Sequence, residues 1–461
     1  MIKTSNDIEL SKRKFGMRDK IGYLLGDIGS ELFFDISTAF LMVYYTDVFG
    51  LNPMIVGTIF VLARLWDAFM DVAAGRFIDA RHPTKEGKFK PWLLRFCPVY
   101  AVTGILMFTK IPGLSDNEYL LYAVVTYIAW GTAFSFVNVP FGSMASVITV
   151  DSNERTALST FRSIGAYIAQ MAIKTLVPAI AFLDNKPDAD RFFLVAVISG
   201  VMGIITYFAF YKLSTERIII DKSSEKKGNL LNSLKALAKN RPLHALLAGA
   251  LVFLVALMAT SSLNAYLFKD YFKNTSALSL SGFVIVLNVI LVAPTVGPLV
   301  KKFGKKEAAS VAIMFTTIAY FLLYLIPITN GYIFVGCKWI ADIGVTFFNF
   351  IIWAFIIDAI DYQELISGRR EDGTVFSIYT FARKLGQSFS GGIAGLVLGI
   401  AGYIKAPQQT MEVAEKIRDL SLLIPGVLYF IVFLCITFWY PMNKEKVAQV
   451  AKELAEKRSL T

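Results

Sequence analysis

Arg64-Leu-Trp-Asp67-Ala-Phe-Met-Asp71 places a guanidinium and two carboxylates inside the apolar stretch from Pro53 to Gly75. Asp67 and Asp71 are four residues apart, so on a helix they lie one above the other on a single face. An acid at the centre of a hydrocarbon layer costs about 2.5–3.5 kcal/mol on an insertion scale. A cation passing through, Na+ or H+, would offset that cost, and two like charges this close favour holding a proton. The preceding apolar stretch carries a second acidic face, Asp27, Glu31 and Asp35, again at spacings of four. The two faces are expected to meet on neighbouring helices, with Arg64 neutralising part of the charge. No nucleophile–base pair or metal-ligand set accompanies these carboxylates, so ion binding is expected rather than catalysis, with no cofactor.

Other polar residues interrupt apolar stretches further along. Phe134-Ser135-Phe-Val-Asn138-Val-Pro140 combines an amide with a helix breaker, which predicts a helix opened toward a cavity. Arg162 and Lys174 sit in the next stretch, and Lys338 and Asp342 form an expected i,i+4 pair. Asn349, Trp353, Tyr379, Thr380 and Gln387 supply rings, amides and hydroxyls. A sugar uses such a set, stacking its C–H face on a ring while its hydroxyls exchange hydrogen bonds. Arg383 and Lys384 stand side by side, about 100° apart around a helix.

The elements that must hold these residues are long apolar helices. The chain has 461 residues, 55% of them hydrophobic, and a mean hydropathy of +0.56. Its apolar stretches of about twenty residues follow one another, which a soluble chain of amphipathic helices does not show. Twelve spans are predicted, near 21–46, 53–76, 92–110, 119–146, 157–183, 191–211, 243–268, 279–301, 307–328, 331–357, 375–403 and 421–441. The polar first twenty residues give no sign of a cleavable leader. Cys97, Cys337 and Cys435 lie in apolar stretches, so no disulfide framework or metal site is indicated. The net charge of +11 reads as topology rather than as a nucleic-acid surface, because Lys and Arg gather at the termini and in alternate loops. The positive-inside rule then puts both termini in the cytoplasm of a plasma (inner) membrane protein. The organisation is residues 1–211 as a first six-helix bundle, 212–242 as a cytoplasmic loop, 243–441 as a second bundle and 442–461 as a tail. Within the loop, Leu230-Leu231-x-x-Leu234-Lys-Ala-Leu237 has an amphipathic spacing. The halves share a loop signature. Gly75-Arg-Phe-Ile-Asp79-Ala-Arg81 with Gly87-Lys88 follows span 2, and Gly297-Pro-Leu-Val-Lys301-Lys302-Phe-Gly304-Lys305-Lys306 follows span 8. Its recurrence six spans apart indicates an all-α membrane protein of duplicated, major facilitator architecture, with a substrate site at midplane between the halves.

Several of these motifs together resemble the glycoside–pentoside–hexuronide:cation symporters. They are Tyr44-Tyr45-Thr46-Asp47-Val48, Arg64-x-x-Asp67-Ala-x-x-Asp71, Gly87-Lys88-Phe89-Lys90-Pro91-Trp92, Asn138-Val-Pro140, Asp358-Ala-Ile-Asp361-Tyr362 and Arg383-Lys384. The resemblance implies a cation site at Asp67 and Asp71 with Thr380 nearby. It implies sugar contacts from Arg162, and a link between ion and sugar at Lys384. Glu31, Arg64, Asn138, Asn349, Trp353, Tyr379 and Arg383 complete the expected substrate set, and Asp79, Arg81, Asp358 and Asp361 the cytoplasmic gate. Against the melibiose/sodium symporter, the family's best-known member, the chain has Ser30-Glu31 in place of a Lys-Asp pair. It also has Asn138 for an aspartate and Gly142 for a stacking tryptophan. It is more similar to the glucuronide-carrier branch. An amide in place of a carboxylate removes repulsion against an anionic sugar, and Arg383 beside Lys384 offers a fork for a uronate. The implied activity is import of a glucuronide or other hexuronide down a cation gradient by a chain functional as a monomer in the bilayer. A carrier of a neutral glycoside or pentoside is the alternative, and a non-transporting sugar sensor the distant one.

Overall fold

The computed structural model describes residues 13–84, 86–218, 237, 240–368, 372–406 and 408–459. The amphipathic segment from Leu230 therefore lies outside the described residues, apart from Leu237. Twelve long helices account for nearly all of the rest. They are α1 (Met17–Ile36), α2 (Pro53–Asp79), α3 (Lys90–Met107), α4 (Asp116–Ile148), α5 (Ser152–Ala181) and α6 (Ala189–Leu213). There follow α7 (Arg241–Tyr266), α8 (Thr275–Phe303), α9 (Lys305–Leu325), α10 (Gly331–Ser367), α11 (Asp372–Ala401) and α12 (Met411–Leu434). A thirteenth, α13 (Lys444–Ser459), follows them. Eight of the twelve are long and apolar enough to cross a membrane by length and composition alone. The other four, α1, α2, α3 and α11, include the helices that carry the acidic faces and the Arg383-Lys384 pair.

The ends follow from local chemistry. Asn52 caps α2, its side chain accepting from the Met54 N–H at 2.9 Å, and Pro53 occupies the first helical position, where no N–H is needed. π-Helical turns prolong α1 to Phe49, α7 to Tyr271 and α12 to Trp439. Gly50, with φ +85°, stops the first of these. Between α5 and α6 a short hairpin pairs Phe182–Leu183 with Lys186–Pro187 through Asp184 and Asn185, both at positive φ. Two helix ends and one helix interior are notable departures from the sequence reading. α10 runs to Ser367, so Asp358 and Asp361 stand inside a helix. α12 begins at Met411, where Thr410 accepts from Val413 N–H and lets a polar first turn stay helical. α4 stays helical straight through Pro140, which corrects the opened helix expected there.

The helices form two compact units, α1–α6 and α7–α13. In the first, α1 packs on α5 and α6, and α4 on α2 and α3. Its polar end is tied by the chain leaving α6. Glu216 accepts three backbone N–H bonds at the start of α3, from Lys88 at 2.7 Å and from Phe89 and Lys90 at 2.8 Å each. A carboxylate against an uncapped helix N-terminus is a stabilising arrangement. Gly87, at φ +125°, is required twice over, because a Cβ there would also fall on the Glu216 carboxylate. Arg217 and Arg13 both hold the fully buried Asp19 at 2.8 Å. In the second unit, the signature loop after α8 shrinks to Gly304, at φ +105°, before α9 starts with Lys305. Substituting Glu216 by Ala would orphan the three N–H groups and cost about 1–3 kcal/mol. The midpoint of thermal unfolding in detergent is expected to fall, and Glu216→Gln to restore part of it.

Candidate functional site

In the first unit the α2 motif is built into an aromatic frame. Arg64 Nη1 donates to Asp67 Oδ2 at 3.3 Å, one turn along its own helix. Its guanidinium lies 4.9 Å from the Phe34 ring centroid of α1 and 5.5 and 5.9 Å from those of Trp130 and Tyr127 of α4. Ring faces carry negative charge density, so this frame favours a cation. The rings hold one another, with Trp130 stacked on Tyr127 at 5.7 Å and on Phe134 at 5.6 Å. Trp66 Nε1 donates to Thr132 Oγ1 at 3.0 Å and pins α2 to α4. Asp67 is 6% exposed, and Asp71 is half-buried one turn further on. The close approach of Asp67 to α4 depends on Gly131, since a Cβ at that position would overlap Oδ1.

The acids of α1 are answered from elsewhere. Arg162 of α5 donates from Nε to Asp27 Oδ1 at 2.8 Å and lies over the Phe141 ring. Gln170 of α5 hydrogen-bonds Asp35, and Lys174 acts on it electrostatically. The helices approach closely because Gly165 faces the Leu24 carbonyl, where a Cβ would come within 2.5 Å. Asp27 and Asp35 of α1 are thus answered from α5, while on α2 Asp67 is paired with its own Arg64. Arg64, expected on the substrate, is paired with Asp67, and Arg162, also expected there, is paired with Asp27. Glu31 and Asn138 are half-buried on α1 and α4. Among the described residues, no cluster of three His, Cys, Asp or Glu side chains is arranged to hold a metal ion. Asp79 pairs with Lys88 at 3.2 Å. Arg81, just past the end of α2, is exposed and lies over Phe77 of that helix.

In the second unit three expected residues come together. Arg383 lies 5.3 Å from the Trp353 ring centroid and 6.0 Å from that of Tyr379. Trp353 meets Tyr379 edge to face at 5.7 Å and stacks on Phe376 at 6.0 Å. Tyr379 is buried, whereas Trp353 is 44% exposed and offers an open ring. Asn349 and Lys384 are half-buried on α10 and α11. Thr380 is exposed and donates to the Phe376 carbonyl of its own helix at 2.9 Å. Lys338 and Asp342 form the expected pair at 2.5 Å, joined by the Tyr320 hydroxyl at 2.9 Å. Asp358 is held by Lys305 at 2.5 Å and by the Tyr440 hydroxyl at 3.5 Å, and Asp361 is half-buried beside it on α10. The spacing Tyr127-x-x-Trp130-x-x-x-Phe134 was a readable signal for the aromatic frame. Gly131, the Glu216 cap and the Asp19 cluster had none, because each depends on a residue distant in sequence.

The profile of the MFS/sugar transport protein family matches residues 22–444. The chain belongs to that family. It is 32% identical to the uncharacterised symporter YjmB of Bacillus subtilis over 97% of both chains. It is 29% identical to a glucuronide carrier protein homolog of Escherichia coli, again over 97% of both. With the isoprimeverose transporter of Lactiplantibacillus pentosus it shares 28% identity over 96% of this chain and 93% of that one. Among solved structures, a bacterial homolog of the lysosomal transporter Spinster superposes with a TM-score of 0.64 at 13% identity, covering 98% of this chain and 99% of that chain. A bacterial homologue of ferroportin gives 0.64 at 14% identity, covering 95% and 100%. The fold is that of the major facilitator transporters, with twelve membrane helices in two six-helix halves, and the protein is a multi-pass membrane protein of a sugar symporter family. Gly131→Ala would force Asp67 away from α4, an overpacking of about 1–3 kcal/mol. Expression is expected to persist while cation-driven sugar uptake falls at least about tenfold.

Proposed function

We propose that the chain is a cation-coupled symporter that imports an anionic glycoside, a glucuronide or other hexuronide, by alternating access. Arg383 carries this reading. Arg64 and Arg162 are each neutralised by a carboxylate, but no described carboxylate pairs with Arg383. Its guanidinium is instead fixed by Trp353 and Tyr379, with Trp353 presenting an open ring beside it. A planar cation next to an exposed indole suits a uronate, whose carboxylate takes the fork while its ring face stacks. The relative named as a glucuronide carrier homolog supports the same class. In this reading Glu31, Asn138, Asn349, Tyr379 and Lys384 serve the sugar hydroxyls. Asp67 and Asp71, with Thr380 as the family pattern implies, serve Na+ or H+. Arg64 positions Asp67, and Arg162 positions the α1 face. Asp79, Arg81, Asp358 and Asp361 act at the cytoplasmic ends of their helices, with both termini in the cytoplasm of a plasma membrane.

The isoprimeverose transporter among the relatives favours a second reading, a neutral glycoside or pentoside carrier. Uptake into proteoliposomes separates the two. A labelled glucuronide is expected to accumulate in the wild type and to be displaced by other uronates. Arg383→Gln is expected to raise its KM about tenfold or more, the value of one charge-assisted hydrogen bond, with neutral sugars unaffected. Asp71→Asn is expected to abolish accumulation against a gradient. If neutral pentosides compete and glucuronides do not, the substrate assignment fails. If Asp71→Asn accumulates normally, the cation assignment fails.

A further inference from the structure

The spanning parts of α1, α2 and α5 carry five acids, Asp27, Glu31, Asp35, Asp67 and Asp71, against three bases, Arg64, Arg162 and Lys174. The excess divides by helix. On α2, Arg64 balances Asp67, and the remaining acid belongs to the pair assigned above to the transported cation. On α1, Asp27 is paired with Arg162 of α5, and Asp35 stands against Gln170 and Lys174 of the same helix.

Asp35 is 7% exposed, its carboxyl is hydrogen-bonded by Gln170, and its Oδ2 is shielded from solvent with no hydrogen-bond partner among the described residues. A buried carboxylate oxygen without a donor carries its full desolvation penalty, whereas the same oxygen bearing a hydrogen is only a hydroxyl. The groups around it are few. Lys174 and Gln170 face it from α5, and Asp27 and Glu31 share its face of α1. Tyr100 of α3 is nearby, with its hydroxyl donating to the Ser30 carbonyl at 2.8 Å. Tyr207 of α6 packs beside Gly29 one turn and a half earlier, and α4 presents the uncharged Phe134 to Phe34.

We propose that Asp35 is a proton-binding site of this transporter, separate from the Asp67–Asp71 pair and specific for H+ whichever ion that pair takes. A proton from the aqueous phase forms the Oδ2–H bond and returns to water when it leaves, with no other bond made or broken.

The test is infrared spectroscopy of the full chain in lipid, without substrate, titrated with pH. The wild type is expected to show the carbonyl stretch of a buried protonated carboxyl at neutral pH. That band should persist in Asp71→Asn, vanish in Asp35→Asn and return at a shifted frequency in Asp35→Glu. Absence of the band in the wild type, or its survival in Asp35→Asn, overturns the proposal. Because no substrate is present, this result is independent of the sugar and cation assignments. In counterflow of a labelled glucuronide, wild-type uptake is expected to fall as pH rises through the titration of Asp35. The Asp35→Asn rate is expected to lose that component of the pH dependence, with any proton binding at the Asp67–Asp71 pair left in place, and an unchanged pH profile in that variant also overturns the proposal.

Discussion

A carboxylate at bilayer depth has no water to stabilise it, and this constraint organises the first unit. Each acid on α1 and α2 must find a positive group, a donor or a proton, and the packing of the helices supplies them. Arg64 turns back along its own helix to Asp67 and is itself held in a box of Phe34, Tyr127 and Trp130. Arg162 and Lys174 reach across from α5 to Asp27 and Asp35. The small residues follow from the same demand. Gly131 leaves room for the Asp67 carboxylate, and Gly165 lets α5 come close enough to α1 for Arg162 to pair. Losing one partner would leave an uncompensated buried charge, a cost of about 3–5 kcal/mol, so these pairs constrain where the helices sit.

The second unit handles charge differently. Lys338–Asp342 and Lys305–Asp358 are complete pairs, each extended by a tyrosine hydroxyl. Arg383 stands apart, with aromatic rings as its partners. Rings stabilise a cation without cancelling its charge, so a guanidinium so held keeps its attraction for an anion. This contrast between neutralised and ring-held arginines is the physical basis for the proposal that Arg383 meets the substrate and that the substrate is a uronate.

Much of the architecture was legible in order along the chain. Apolar length gave the twelve helices, and charge placement and the repeated Gly-rich loop gave the two halves. The i,i+4 rule gave Lys338–Asp342. These are local signals, carried by residues within one or two turns of each other. Boundaries were less clear where polar residues stay helical, as in α10 beyond Phe355 and the first turns of α12, because a helix can outrun the bilayer. Pro140 misled for a related reason. Missing one N–H in a long helix does not open it when α4 packs along α2 and α3 on either side.

By itself the sequence determined which residues bear charge, which helix each occupies, and that α2 holds two stacked acids. Helical periodicity and hydropathy fix those facts without any knowledge of neighbours. Only the tertiary structure decided the partners. It sent Asp27 and Asp35 of α1 to α5, gave Arg64 to Asp67, left Arg383 to Trp353 and Tyr379, and put Glu216 on the start of α3 some 130 residues earlier in the chain. Those choices depend on which helix faces lie against each other, and on glycines whose importance is the absence of a side chain. Neither is written in the spacing of any one segment.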